Sequence, residues 1–103
     1  MIFYDLLIRE VRQATRAQNN LGGTYQVLAQ HGVAPKQNLQ HSVKAFTEAA
    51  HRFKEQQNWA NHAMAQKNLE MTYRGLARHG IEPEKNLRLA GQAFKEANAH
   101  GQN

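Results

Sequence analysis

The chain of 103 residues contains one segment twice. Residues 66–97, QKNLEMTYRGLARHGIEPEKNLRLAGQAFKEA, align without a gap on residues 18–49, QNNLGGTYQVLAQHGVAPKQNLQHSVKAFTEA, and 16 of the 32 pairs are identical. Chance would give roughly two identities in a window of this length. A duplicated unit with an offset of 48 positions is typical of stacked repeat architectures. We therefore expect one domain, residues 1–103, that contains two internal repeats, about residues 11–58 and 59–103.

Both copies carry the same interruption between two helical segments. His-Gly pairs at residues 31–32 and 79–80 precede the two prolines, Pro35 and Pro83. Gly beyond a helix end takes the left-handed conformation that closes the last turn, and Pro after it stops the helix. Apolar residues recur at intervals of three and four, and no segment alternates with a period of two. The sequence therefore predicts an all-α fold of about four helices, two tandem helical hairpins stacked as a short α-solenoid or bundle.

The helix boundaries follow from these interruptions, except at the join between the copies. The expected helices run from about residue 3 to 30, 37 to 56, 59 to 79 and 84 to 99. The join, KEQQNWAN, contains neither Pro nor Gly, so a continuous helix over residues 37–79 is the alternative. We favour a break near Gln56 to Asn58, because the Asn58 side chain is a good cap for a new helix.

The apolar residues predict the core and one further contact. Leu21, Tyr25 and Leu28 form a stripe expected to face a neighbouring helix. The aromatic residues expected to be buried as equivalent pairs are Tyr25, Tyr73, Phe46 and Phe94. The apolar start, residues 2–8, is wider than one helix stripe. We expect it to cover an end of the stack or to pair with a second chain as a homodimer.

Two motifs resemble the tetratricopeptide repeat. The first copy has Leu-Gly at residues 21–22 followed by Tyr25, and the second copy has Ala90, Phe94 and Ala97. These match the family's Leu-Gly-x-x-Tyr and its later Ala, Phe and Ala. The unit of 48 residues is longer than the family's, and the leading Trp of the family pattern is absent. The chain thus resembles two degenerate, lengthened tetratricopeptide-like hairpins, which implies a module that binds a protein or peptide in a groove lined by first helices.

This resemblance implies a partner site beside the apolar stripe. Asn20 and Gly23 share a helix face, as Asn68 and Met71 do in the second copy. In the family, an Asn in this place grips the backbone of a bound peptide, although both Asn residues would equally be explained by packing. We expect an adaptor, chaperone or regulatory module that holds a partner segment of acidic character. The expected partner-binding residues are Arg16, Asn20, Gly23, Met64, Lys67, Asn68, Met71 and Arg74.

The charge of the chain supports a second functional interpretation. The formal net charge is +5 and the sequence pI about 9.9, which fits a nucleic-acid binder. Basic residues are scattered, however, with acidic residues among them. One cluster, Arg9, Arg12 and Arg16, lies on one side of a helix and is either a set of phosphate contacts or a solvated face. The alternative function is therefore a basic helical accessory protein that binds nucleic acid.

Other chemistry finds little support in the residues. The chain has no Cys and a single serine, Ser42, at a position predicted to be packed. His31 and His79 fit a role at helix ends better than metal ligation, and the His-Glu-x-x-His spacing is absent. We therefore expect no enzyme, no metal and no cofactor. The apolar start is interrupted by Asp5 and lacks the features of a membrane span or signal peptide, which predicts a cytoplasmic protein without a membrane partner.

Overall fold

The computed structural model describes residues 2–99. These residues form four α-helices and no strand: α1 (Ile2–Gln30), α2 (Pro35–Glu55), α3 (Trp59–Arg78) and α4 (Pro83–Ala99). The predicted all-α fold and the predicted break near Gln56 to Asn58 are confirmed. The first helix continues through both glycines at residues 22–23.

The two His-Gly corners have the same backbone geometry. Gly32 and Gly80 have φ angles of 79° and 74°, in the left-handed region. In the first corner the Gly32 N–H donates to the Ala29 carbonyl and the Val33 N–H donates to the Leu28 carbonyl, both at 3.0 Å. The second corner repeats both bonds. Paired bonds of this kind end a helix at a left-handed glycine, as the sequence pattern predicts.

Asparagine side chains fix the start of three helices. The Asn38 Nδ2 donates to the Val33 carbonyl at 2.7 Å, and the equivalent bond in the second copy has the same length. Each of these bonds ties a corner to the helix that follows it. The start of α3 uses a different device, because the Asn58 Oδ1 accepts from the Asn61 N–H at 3.3 Å. The predicted cap at Asn58 is therefore confirmed.

The helices pack as an array in chain order. Each helix packs on the next one, and α1 and α3 also touch each other. Within the described residues the backbones of α2 and α4 do not pack together, and a side-chain ion pair between Lys54 and Glu96 links the two helices. α2 therefore lies beneath the seam between α1 and α3. The radius of gyration is 14.6 Å, larger than the roughly 13 Å of a compact domain of this length. The two ends of the array, α1 and α4, do not meet.

The core is formed by α2 and its neighbours. Phe46 is 1% exposed and belongs to a cluster with Phe53 of α2 and Leu69 of α3. A second cluster joins Leu39 of α2 to Leu76 of α3. Burial of apolar side chains supplies most of the free energy that stabilises a helical domain. The interface between α2 and α3 is therefore the centre of the array.

The structure corrects part of the predicted core. Phe94 is 53% exposed, although its counterpart Phe46 is buried. Two differences explain this: no helix follows α4 among the described residues, and Glu70 stands in the second copy where Gly22 makes room for Phe46 in the first. Tyr25 and its equivalent are only half-buried. The expectation of four buried aromatic residues is thus correct for Phe46 alone.

Two further apolar expectations are wrong. Leu21 and Leu28 are 42% and 37% exposed, because they lie on a side of α1 that no other helix of residues 2–99 covers. The apolar start is exposed as well, with Phe3 88% and Leu7 60% exposed. It does not cover an end of the stack. Pairing of this segment with a second chain stays a prediction.

Candidate functional site

An open groove lies where α1 and α3 run side by side over α2. The Gln26 Nε2 of α1 donates to the Thr72 Oγ1 of α3 at 3.2 Å. Gln26 lines the groove on both sides of this bridge, and we refer to the two sides as the amide half and the basic half. Phe46 lines the amide half and Leu39 lines the basic half. α2 therefore provides an apolar floor to what we call the α1–α3 groove.

The amide half is lined by three asparagines. Asn19 and Asn20 of α1 lie across from Asn68 of α3, in a volume of about 520 Å³. Space above α1 remains open, since a Cβ at Gly23 would meet no atom within 4 Å. The Asn19 Oδ1 is buried and has no hydrogen-bond partner among the described residues. Side-chain amides both donate and accept, which is what an extended peptide backbone requires.

The basic half combines cations with apolar surface. Arg74 and Arg78 of α3, and His79 directly after this helix, line it together with Leu39 and Met71, in a volume of about 370 Å³. No acidic residue lines either half of the groove. Neither arginine forms an ion pair within the described residues. Unpaired guanidinium groups at an apolar surface are suited to binding carboxylates.

A glycine shapes the floor of the basic half. A Cβ at Gly75 would lie 3.3 Å from a Leu39 methyl carbon and 3.8 Å from a nitrogen of the Arg78 guanidinium. The missing side chain therefore lets Leu39 reach between α1 and α3, and leaves room for Arg78 beside it. The first copy has Val27 at the matching position, so this feature belongs to α3 alone.

A second cleft, the basic cleft, lies between the first half of α1 and the connection from α2 to α3. Arg9, Arg12 and Arg16 line it together with side-chain amides, and Asp5 is the one acidic lining residue. None of the three arginines forms an ion pair among the described residues. They continue the line of Asn19 and Gly23 along α1 at intervals of three and four residues. The cleft therefore extends the α1–α3 groove toward the start of α1.

The structure brings together most of the expected partner-binding residues. Asn20, Gly23, Asn68, Met71 and Arg74 line the α1–α3 groove. Arg16 instead lines the basic cleft. Met64 and Lys67 are exposed on α3 and belong to neither half of the groove.

Sequence reasoning missed several polar lining residues, among them Asn19, Gln26, Arg78 and His79. The available signal was helical spacing, since positions 26 and 30 follow Gly23 at intervals of three and four. Their counterparts in the second copy are Arg74 and Arg78. The pattern of Gln in one copy and Arg in the other marks this edge of the groove.

A buried polar cluster lies outside the groove, between α2, α3 and α4. His62 is 2% exposed, and its Nδ1 donates to the Ala50 carbonyl at 2.9 Å, because a carbonyl only accepts. Its Nε2 lies 3.1 Å from the Glu96 Oε1, which Lys54 also contacts at 3.4 Å. The hydrogen bond from His62, and then Lys54, hold the pKa of Glu96 below its ordinary value of 4.5 against the opposing effect of burial. The cluster fastens α4 to the hairpin before it.

Within residues 2–99, no three His, Cys, Asp or Glu side chains lie close enough together to hold a metal ion. None of the four helices is long and apolar enough to cross a bilayer. That the chain uses no metal and no cofactor stays a prediction.

Comparisons with protein-family models, curated proteins and solved structures find no match to this chain. The resemblance to tetratricopeptide repeats rests on its motif residues and stays a prediction.

Proposed function

We propose that the chain is a helical binding module that holds an extended acidic segment of a partner protein in the α1–α3 groove. One observation carries this proposal. Amides and unpaired arginines face a groove that has an apolar floor and no carboxylate in its lining. A negatively charged segment could pair with these arginines without displacing an internal ion pair.

The dimensions of the groove suit a short peptide. α1 rises about 17 Å between Asn19 and Gln30, and an extended chain covers that distance with about five residues. The amide half would satisfy the peptide backbone, while Arg74 and Arg78 would pair with side-chain carboxylates. Leu39 and Phe46 in the floor would accept an apolar side chain. The favoured segment therefore has an acidic residue next to a large apolar one.

Selection from a displayed random-peptide library tests the chemistry of the partner. The folded chain is the bait, and enrichment of Asp or Glu beside Leu, Ile or Phe is the expected result. Enriched peptides without acidic residues would contradict the proposal. The same selection against the Arg74→Ala/Arg78→Ala variant should lose the acidic preference.

Substitutions in the groove test its location. Asn68→Ala combined with Arg74→Ala should weaken binding of a selected peptide at least about tenfold, or about 1.4 kcal/mol. Lys67→Ala is the matched control, because Lys67 is an exposed cation on α3 outside the groove. Circular dichroism confirms that each variant is folded. Unchanged binding by the folded double variant would place the site elsewhere.

The basic cleft supports a second candidate function, contact with nucleic-acid phosphates. Three unpaired arginines line one opening, and such contacts release counterions from nucleic acid. For three contacts on a single strand, the logarithm of the affinity should fall with a slope of about −2 against the logarithm of salt concentration. An oligothymidylate probe tests this, with Arg9→Ala/Arg12→Ala expected to flatten the slope. Absence of binding at low salt would exclude this function.

The proposal includes the remaining expectations about the chain. A binding module of this kind acts as an adaptor, chaperone or regulatory protein, without catalysis, and we place it in the cytoplasm. The exposed apolar residues of the segment 2–7 support pairing with a second chain as a homodimer.

A further inference from the structure

One face of α1 is exposed although the matching face of α3 is buried. Six residues form this face, which we call the α1 outer face: Ala14, Ala17, Leu21, Thr24, Val27 and Leu28. All six are exposed, and all six residues located 48 positions later on α3 are buried. The buried α3 residues contact α2. For example, Thr72 lies 3.3 Å from Ser42, and Gly75 makes room for Leu39.

At the other end of the array, residues of α4 are exposed although their counterparts on α2 are buried. Leu39 and Phe46 of α2 are 5% and 1% exposed, and both belong to clusters with α3 residues. Their counterparts on α4, Leu87 and Phe94, are 56% and 53% exposed. Gly91 stands between them, in the place of Val43. We call these three residues the α4 outer face.

The two ends of the chain thus carry the two halves of an interface that the chain already makes internally. We infer that copies of this chain associate head to tail, with the α4 outer face of one copy on the α1 outer face of the next. The internal contact of α2 with α3 is the template for this docking. This inference goes beyond the proposed peptide site, although Thr24, Val27 and Leu28 of the α1 outer face also line the amide half of the groove.

The side-chain volumes of the two faces are compatible. The α1 outer face has one bulkier residue than its template, Val27 in the place of Gly75. The α4 outer face has one smaller residue, Gly91 in the place of Val43, one turn from the position that meets Gly75 in the template. A Cβ at Gly91 would meet nothing within 4 Å, so space is open there. The two differences offset each other in a close-packed interface.

The geometry has a consequence for the assembly. A head-to-tail contact joins two different surfaces, so an assembly of any length keeps a free α1 outer face at one end and a free α4 outer face at the other. Association therefore proceeds beyond a dimer. Each junction would also place α3 of one copy beside α1 of the next, which repeats the arrangement that forms the α1–α3 groove.

Complementary variants test this inference. Leu21→Glu and Phe94→Glu each place a charge on one outer face, at positions exposed enough for the monomer to fold. Pairing through the apolar start is removed in all chains by Phe3→Ser/Leu7→Ser, at positions that are 88% and 60% exposed. In sedimentation velocity at high micromolar concentration, the chain with these two changes alone should form species larger than a dimer, and each outer-face variant alone should remain monomeric. A mixture of the two should form a heterodimer and nothing larger, because one intact pair of faces remains. Gln92→Glu, on another side of α4, is the matched control and should associate as the wild type does.

Three results would overturn the inference. A wild-type chain that stays monomeric at these concentrations has no such interface. Two folded variants that fail to combine, or that self-associate like the wild type, exclude these faces. Association of the wild type that is lost completely with Phe3→Ser/Leu7→Ser would show pairing through the apolar start alone, without the head-to-tail interface. Leu87→Glu provides a second α4 variant if Phe94→Glu fails to fold.

Discussion

Gly22 and Phe46 meet where α1 packs on α2. A Cβ at residue 22 would lie 2.7 Å from the Phe46 Cδ1, and two further ring atoms lie within 3.0 Å. The ring is 1% exposed. Glycine at this position therefore sets the distance between α1 and α2, and with it the depth of the groove above.

We expect Gly22→Ala to destabilise the fold by about 1–3 kcal/mol, the usual cost of overpacking a core. Gly23→Ala is the matched control, since its Cβ would meet nothing within 4 Å and alanine favours helix by about 0.5–1 kcal/mol. Urea denaturation of both variants measures the difference. Equal stability of the two would mean that Phe46 does not lie against α1.

The contact between Glu96 and His62 predicts a dependence of stability on acid. The pKa of Glu96 is lowered in the folded protein, so the unfolded chain binds a proton more readily. The stabilisation of the folded state by the ionised Glu96 carboxylate is therefore complete at pH values above the ordinary pKa of 4.5. It is lost as the pH falls through the lower pKa of the folded protein. Glu96→Gln should remove this contribution.

Urea denaturation near neutral pH and at about pH 3 tests the expectation. Glu96→Gln should be less stable than the wild type near neutral pH, and the two should converge in acid. Glu10→Gln is the control, because Glu10 is exposed and forms no ion pair among the described residues. A difference between Glu96→Gln and the wild type that does not change with pH would contradict the assignment.

The helices themselves were largely predictable from the sequence. The two His-Gly-x-x-Pro corners place strong local signals at the helix ends, and Asn58 supplies the third start. Local signals of this kind do not depend on neighbouring helices. The burial of a helix face, in contrast, depends on whether a neighbouring helix covers it. The periodicity of α4 therefore failed to predict that Phe94 is exposed.

Equivalent substitutions on α2 and α4 test this difference between the copies. Phe46→Ala should cost about 3–5 kcal/mol, because it opens a cavity between α1 and α3. Phe94→Ala should cost about 1 kcal/mol or less, as expected at a half-exposed position. Thermal and urea unfolding measure both. Similar losses would mean that another helix covers α4 in the folded chain.

At the scale of the whole molecule, the repeat determines both the groove and the open ends. α1 and α3 occupy equivalent places, so they run side by side over α2 and create the α1–α3 groove. The sequence predicted five of its residues, Asn20, Gly23, Asn68, Met71 and Arg74, from helical spacing within each copy. It did not predict Arg78 or the floor residue Leu39, because these depend on how far α2 reaches between the other two helices. That distance is set by Gly22 and Gly75, whose role appears only in the packing.

The most direct test of the central proposal is a map of the peptide site in solution. A library-selected acidic peptide is titrated into the ¹⁵N-labelled Phe94→Glu variant, which excludes head-to-tail association. We expect the largest amide shifts at Gly23, Asn68 and Arg74, and none at Gly91 on the outer side of α4. Shifts confined to the Arg9–Arg16 segment or to α4, with the groove amides unchanged, would contradict the assignment of the α1–α3 groove as the binding site.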